Sequence, residues 1–375
     1  MASSPPLEIL LLGPAHPYRG GISDSQMAFA KALNKLNTRT ELWTFTHLYP
    51  DFIFPGKTQY SKEKAPTELD IERKLHSYNP LKWSKIANEI NQLKPDVVVF
   101  RYWTPLLSPS WCSIARKLNP SIKRIGFIDN WIAHESKPWD TFLNTRFERA
   151  MDCFQTLSSE LTSQVNQVTD KAVWGKTHPL DDGLPNRVES KVAKSKLTID
   201  DQADYILFFG LIRAYKGLDL LIEALSLIPK KKLLVVGEAY ENIEKYAAIV
   251  SKYKLEDRVH FINHFVSKQE IVHYFSIADA VVLPYKKATQ SGVSAMAYHF
   301  ETPLVVTNHK GLSVPVLNDN TGVVCEPNPS SIAKAVIKAT DQEQNKLYRS
   351  NMRKNKANYS WDAYAKEWIE FIKKK

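Results

Sequence analysis

The feature that most restricts the fold of this chain is a strand, glycine loop and helix arrangement that occurs twice. Leu7–Leu12 is an unbroken apolar run ending at Gly13, and a helical pattern over Ser23–Leu36 follows. Tyr205–Phe209 ends at Gly210 in the same way, with a second helical pattern over Leu218–Leu227. Similar runs stand at Val97–Arg101, Ile125–Asp129, Leu233–Val236, Ala280–Leu283 and Pro303–Val306. Apolar runs that are continuous rather than alternating suit strands covered on both faces. Alternating with helices, they predict parallel sheets joined by right-handed crossovers, a doubly wound α/β architecture. The two starts predict two Rossmann-like halves, and 375 residues suffice for both cores. The polar stretch Asp181–Gln202, with Gly183 and Pro185, is the expected linker. The expected domains are residues 1–184, residues 185–355 and a closing segment, 356–375. Within that segment Trp361, Tyr364, Ala365, Trp368 and Ile369 give a terminal helix one apolar face.

Composition removes several alternatives. Cys112, Cys153 and Cys325 are far apart and lack metal-ligand spacing, which excludes a disulfide framework or a zinc ribbon and suits a reducing, cytoplasmic setting. No run reaches the length of a membrane span, and the first residues lack a signal-peptide pattern. The net charge of +10 calls for an anionic partner, but no nucleic-acid recognition motif accompanies it. The excess is densest in the last 25 residues, with 7 basic and 3 acidic side chains. Solvated tail lysines explain it most simply; peripheral contact with an anionic membrane is the alternative.

Three loops carry the chemistry. Gly13–Ile22 follows the first strand, and its Gly20–Gly21 pair lets backbone N–H groups approach an anion beside a helix N-terminus; a tight turn would equally use those glycines. It is neither a dinucleotide fingerprint nor a Walker A loop. In the second half Arg213 and Lys216 stand three apart where a helix begins. Cations oppose the helix dipole there and need a compensating anion, for which a pyrophosphate is suited. Thr289–Gln290–Ser291–Gly292 precedes a helix predicted over Ser294–Phe300, where Thr289, Ser291 and the Gly292 N–H can bind phosphate oxygens or simply cap the helix.

Arg213–x–x–Lys216–Gly217, Thr289–Gln290–Ser291–Gly292, Ala295–Met296–Ala297–Tyr298 with Pro303–Val306, Asn308–x–x–Gly311–Leu312 and Gly322–Val324 closely resemble the family-4 retaining glycosyltransferases of the GT-B fold. The likeness includes Gly20–Gly21 and the closing Ser360–Trp361–Asp362, and so spans nearly the whole chain. It implies two Rossmann-like domains with parallel sheets facing across a cleft, the acceptor on the first and a nucleotide-sugar donor on the second, and a C-terminal helix crossing back. Carried over by position, Arg213 and Lys216 would hold the donor diphosphate. Thr289, Gln290, Ser291 and Gly292 would complete its cradle, Gly20 and Gly21 would close over it, and the base would lie near His264–Phe265–Val266. His134, in the loop Asp129–Glu135, would face the donor sugar, or it caps local structure.

The resemblance further implies a retaining mechanism, with no protein nucleophile, no metal and no cofactor beyond the donor, serving polysaccharide biosynthesis in the cytoplasm or at the inner membrane face. Several positions depart from the family pattern. Met296 is apolar where the second glutamate of E-x₇-E is usual. Glu301 replaces a glycine and is expected on the surface. Lys310 and Val314 replace a glycine and a glutamate. Met296, Lys310 and Val314 keep open a non-catalytic nucleotide-sugar binder, and a nucleotide-sugar epimerase of the same fold stays open because it would share Arg213 and Lys216. The aromatic segments Tyr49–Gly56 and Tyr102–Trp111, and Leu81–Lys85, read as packed core and a helix start, or as acceptor or membrane contacts.

Overall fold

A computed structural model describes residues 5–49, 58–61, 64–132, 137–180, 183–200 and 202–374. The chain forms two compact units, Met1–Pro179 with Ser360–Lys375, and Leu180–Tyr359.

The first unit begins with β1 (Leu7–Leu12), α1 (Gly21–Asn34), β2 (Thr38–His47) and β3 (Asp70–His76). It continues through α2 (Pro80–Leu93), β4 (Val97–Tyr102), α3 (Ser108–Ala115), β5 (Lys123–Ile128) and α4 (Asp140–Ala150). It then adds β6 (Cys153–Thr156), α5 (Ser159–Asn166) and β7 (Val173–Gly175). Among the described residues its sheet runs β3-β2-β1-β4-β5-β6-β7, every pairing parallel. Every side chain of β4 is buried, as a central strand covered on both faces requires. One face of the sheet packs on α2, α3, α4 and α5 through residues such as Ile86, Trp111, Phe147 and Leu161. The other packs on α1 and on the last helix of the chain.

The second unit opens with α6 (Ser190–Leu197), β8 (Asp204–Phe209), α7 (Leu218–Leu225), β9 (Lys231–Val236) and α8 (Glu244–Lys252). Next come β10 (Val259–Ile262), α9 (Lys268–Ile277), β11 (Ala278–Leu283), α10 (Gly292–His299) and β12 (Leu304–Thr307). It ends with α11 (Lys310–Asp319), β13 (Gly322–Cys325), α12 (Pro329–Thr340) and α13 (Gln342–Asn355). Its parallel sheet has the order β10-β9-β8-β11-β12-β13. The connection direction reverses between β8 and β11, the switch point beside which ligands of doubly wound sheets bind.

One expectation is corrected. The polar stretch Asp181–Gln202 is not a bare linker, because α6 forms inside it. Ala193 is buried, Val188, Leu197 and Ile199 pack on the second core, and Arg187 donates to the carbonyls of Ser276 and Phe300. Four apolar residues spread among lysines and acids were too sparse to show a helical face.

After Tyr359 the chain re-enters the first unit as α14 (Trp361–Lys373), capped by Ser360, whose Oγ accepts the Ala363 N–H at 3.1 Å. Trp361, Tyr364, Ala365, Trp368 and Ile372 are buried against α1 and the sheet. Phe29 of α1 meets Trp368 edge-on, ring centroids 5.1 Å apart, and Tyr364 likewise at 5.5 Å. Cys112, Cys153 and Cys325 are all buried.

Candidate functional site

The candidate site of the second unit is built where β8 ends. Gly210 leaves the strand with φ 99°, Ile212 is buried and bridges to Ala239, and Arg213 is extended. Ala214–Lys216 then make a single 3₁₀ turn closed by Lys216 N–H donating to Arg213 O at 2.9 Å. The turn leaves the Lys216 ammonium near enough to Arg213 for the guanidinium to act on its charge. The Lys216 ammonium folds back to within 2.9 Å of where a Cβ on Gly210 would stand. Its Nζ lies 5.5 Å from the Tyr285 ring centroid, and the Arg213 guanidinium lies 5.1 Å from that of Tyr240.

Lys216 is only 8% exposed, and among the described residues no carboxylate pairs with it or with Arg213. Burial first, and then the neighbouring guanidinium, pull its ammonium down to about 8 from an ordinary 10.5. The folded chain therefore binds fewer protons than the unfolded chain between those two values. The resulting destabilisation is fully present below pH 8 and fades as the pH rises towards 10.5. Lys216→Met should raise unfolding stability by about 3 kcal/mol at neutral pH. That gain should shrink when denaturant unfolding is repeated at alkaline pH.

Gly217 is the N-cap of α7, with φ 70°. A Cβ there would overlap the Pro284 carbonyl oxygen, so the turn packs directly on the loop after β11. Two further bonds tie these segments, Lys286 N–H to Tyr215 O at 2.7 Å and Lys286 Nζ to Asp219 Oδ2 at 2.6 Å. Gly217→Ala should cost at least about 2 kcal/mol through left-handed strain and that overlap. Chemical denaturation checks it, and weaker binding of a nucleoside diphosphate should accompany the loss.

The loop after β11 delivers Ser291 as the N-cap of α10, its Oγ accepting the Val293 N–H at 3.2 Å and lying 3.3 Å from the Tyr285 hydroxyl. The helix therefore starts at Gly292, two residues before the expected Ser294, because the cap precedes it. The Gln290 Oε1 and Ser294 Oγ are buried and meet no protein donor or acceptor. The backbone of Thr289 lies against Gly311, and His309 Nε2 is 2.9 Å from Tyr285 O, which joins the loop after β12 to the same place. On the other side Asn263 Oδ1 accepts the Ala239 N–H at 2.8 Å. This bond links the loop carrying His264 and Phe265, both exposed, to the segment that carries Tyr240.

Arg213, Lys216, Thr289, Gln290, Ser291 and Gly292 thus gather around the switch point, with His264 and Phe265 one strand-loop further out. Gly20 and Gly21 belong to the first unit, where Gly20 has φ 110° and Gly21 opens α1. His134 lies outside the described residues. Among the departures, Met296 packs against the second core, while Lys310 is exposed and Val314 partly so. Glu301 corrects its expected surface position. It takes the left-handed φ 53° that a glycine would favour, and its side chain is only 19% exposed, held by Arg353 at 2.6 Å.

Sequence reasoning missed a buried pair in the first unit. Arg101 Nε and Nη2 donate to Asp129 at 2.5 Å, and Nη2 reaches Ser25 Oγ of α1 at 2.9 Å. The pair joins the ends of β4 and β5 to the helix behind Gly20–Gly21. The signal was present: a cation inside the run Val97–Tyr102 has to be paired. The aromatic segment divides. Tyr102, Leu107 and Trp111 are core, Trp103 donates to the Tyr49 hydroxyl at 2.7 Å, and residues 50–56 lie outside the described residues.

Residues 189–359 match the family described as Glycosyl transferases group 1. The second unit matches that family over nearly its whole length. A D-inositol 3-phosphate glycosyltransferase of Xylanimonas cellulosilytica is 24% identical over 194 residues, 50% of this chain and 46% of the relative. An uncharacterized glycosyltransferase of Methanocaldococcus jannaschii is 26% identical over 229 residues, 58% of each. The chain thus spans about half the length of the curated relatives it matches. Among solved structures, a sucrose-phosphate synthase from Thermosynechococcus elongatus superposes with TM-score 0.79 at 17% identity, over 98% of both chains. Anabaena HepE, solved with UDP and glucose, superposes with TM-score 0.77 at 14% identity, over 97% of this chain and 99% of that one. The two Rossmann-like units match the GT-B fold of these structures.

Proposed function

We propose that this protein is a retaining glycosyltransferase that moves a sugar from a nucleoside-diphosphate sugar to a glycan or glycolipid acceptor, in cytoplasmic polysaccharide biosynthesis. One observation carries the reading: two adjacent cations, one buried, stand without a carboxylate at the switch point of a doubly wound sheet. Leaving a buried ammonium unpaired is costly, and a diphosphate would supply the missing charge.

In this reading the bond between the sugar C1 and the diphosphate oxygen breaks, and its electron pair goes to the leaving diphosphate. Arg213 and Lys216 stabilise that charge, the guanidinium as a fork and the ammonium as a point charge. The acceptor hydroxyl attacks C1 from the face the diphosphate leaves, and its proton passes to a phosphate oxygen. Configuration is kept without a protein nucleophile, and the two cations do the work a metal would otherwise share. Ser291, Gly292 and Thr289 hold phosphate oxygens at the start of α10. The unpartnered Gln290 Oε1 accepts a donor hydroxyl. His264 and Phe265 border the base, and Gly20, Gly21 and His134 take the donor-facing and sugar-facing roles that the family resemblance gives them.

The test incubates the full chain with a panel of nucleotide sugars and follows the products by NMR. Release of nucleotide with free or transferred sugar of unchanged anomeric configuration supports the proposal. An epimerised donor would make the protein an epimerase. Binding without turnover across a range of acceptors would make it a non-catalytic binder. Inverted configuration would overturn the stereochemical part alone.

A further inference from the structure

In the first unit α2, α3 and α4 lie side by side on one face of the sheet, in the order in which they follow β3, β4 and β5. Because the strands are parallel, the entry to each helix lies at the same edge of the sheet. The apolar residues at these entries are unusually bare. Leu81 in the first turn of α2 is 89% exposed, and Leu106, in the turn before α3, is 60% exposed. At the start of α4, Trp139 and Phe142 are 53% and 60% exposed. Scattered single exposed apolar residues need no explanation, but neighbouring helix entries that all present them do.

Among the described residues the exposed charge of this corner is positive. Lys82, Lys85, Lys137 and Arg146 are exposed, and the Arg146 guanidinium lies 5.5 Å from the Phe142 ring centroid. Among the described residues of 78–85, 103–107, 130–132 and 137–146 the one acid is Asp140. It is buried, and its Oδ2 accepts the Lys137 N–H at 2.8 Å. Bare leucine, tryptophan and phenylalanine ringed by cations complement an anionic headgroup layer over acyl chains. No helix among the described residues is long and apolar enough to cross a membrane.

We infer that the corner where α2, α3 and α4 begin docks on an anionic lipid bilayer. The contact is peripheral: the aromatic and leucine side chains enter the headgroup boundary and the cations face the lipid charges. The basic C-terminal tail is a separate feature, because α14 packs on the opposite face of the sheet, where Lys123 Nζ donates to Ile372 O at 2.8 Å. The inference does not depend on sugar transfer, since vesicle binding is measured without donor or acceptor.

The experiment sediments the full chain with vesicles of phosphatidylcholine alone, or of equal parts phosphatidylcholine and phosphatidylglycerol. The chain should pellet with the anionic vesicles only, and added salt should release it. Replacing Lys82, Lys85 and Arg146 together by Glu should weaken binding at least about a hundredfold, at roughly fivefold or more per cation. Trp139→Ser with Phe142→Ser should weaken it about tenfold. An unchanged melting temperature shows that these surface variants are folded, and Lys373→Glu with Lys374→Glu should bind like the parent. Failure of the parent chain to pellet, or corner variants that bind like the parent, would overturn the inference. So would a dimer in vesicle-free solution that the Trp139→Ser, Phe142→Ser pair dissolves, because the corner would then be a self-association face.

Discussion

Arg213→Ala should lower sugar transfer about 100- to 1,000-fold, the range seen when a preorganised charge-stabilising donor is removed. Stability should change little, because Arg213 makes no ion pair among the described residues and rests only on the Tyr240 ring. The loss should fall mainly on turnover, since charge on the leaving diphosphate grows as the C1–O bond breaks. Arg213→Lys should recover part of it, because a point charge survives where the fork is lost. Initial rates with saturating donor, beside thermal melts of the same preparations, check both claims. Full activity in Arg213→Ala would sink the proposed phosphate site. A related dependence follows from Lys216: donor affinity should weaken as the pH rises through about 8, where the free enzyme's ammonium loses its proton.

Trp368→Ala should destabilise the protein by about 3–5 kcal/mol, the range for deleting a buried large aromatic side chain. Trp368 is fully buried between α1 and the sheet, and its loss also removes the edge-on contact with Phe29. Trp368→Phe should cost much less: it keeps a ring against Phe29 and removes an indole N–H that meets no protein acceptor. Denaturant titration of the two variants checks the difference. Equal losses would mean that the ring contact contributes little. The same cost would be felt in the first unit although the residue lies at the far end of the sequence, because α14 completes that unit's core.

The central strands were readable because burial on both faces leaves a continuous apolar run: β1, β4, β5, β8, β9, β11 and β12 all announced themselves. The strands nearer the edges did not. β3, Asp70–His76, buries only its last two side chains, and β2 alternates threonines with apolar residues. Edge strands cover one face at most, so their sequences resemble surface loops or helices. The helix α6 escaped for a similar reason, since a short stripe among lysines leaves little periodicity to find.

At the site, the spacing of Arg213 and Lys216 already called for an anion, because two cations at a helix start oppose its dipole. What the spacing could not reveal is that Lys216 is buried against Tyr285 while Arg213 rests on Tyr240. These rings come from other strand-loops and are brought in only by the sheet order. Glu301 was expected at the surface, and the Arg353 that holds it is supplied by α13. The exposed apolar corner was foreshadowed by Leu81–Lys85 and by Leu106 within Tyr102–Trp111, whereas Trp139, Phe142 and Arg146 join it through the parallel order of the strands.

Local order therefore decided the strand–loop–helix units, their doubling and the residue types in the anion loops, because apolar periodicity and loop chemistry act between near neighbours. The folded chain decided which loops meet, which lysine loses its water and which apolar residues remain outside. Those depend on burial and on contacts between distant segments, and neither exists until the sheets are assembled.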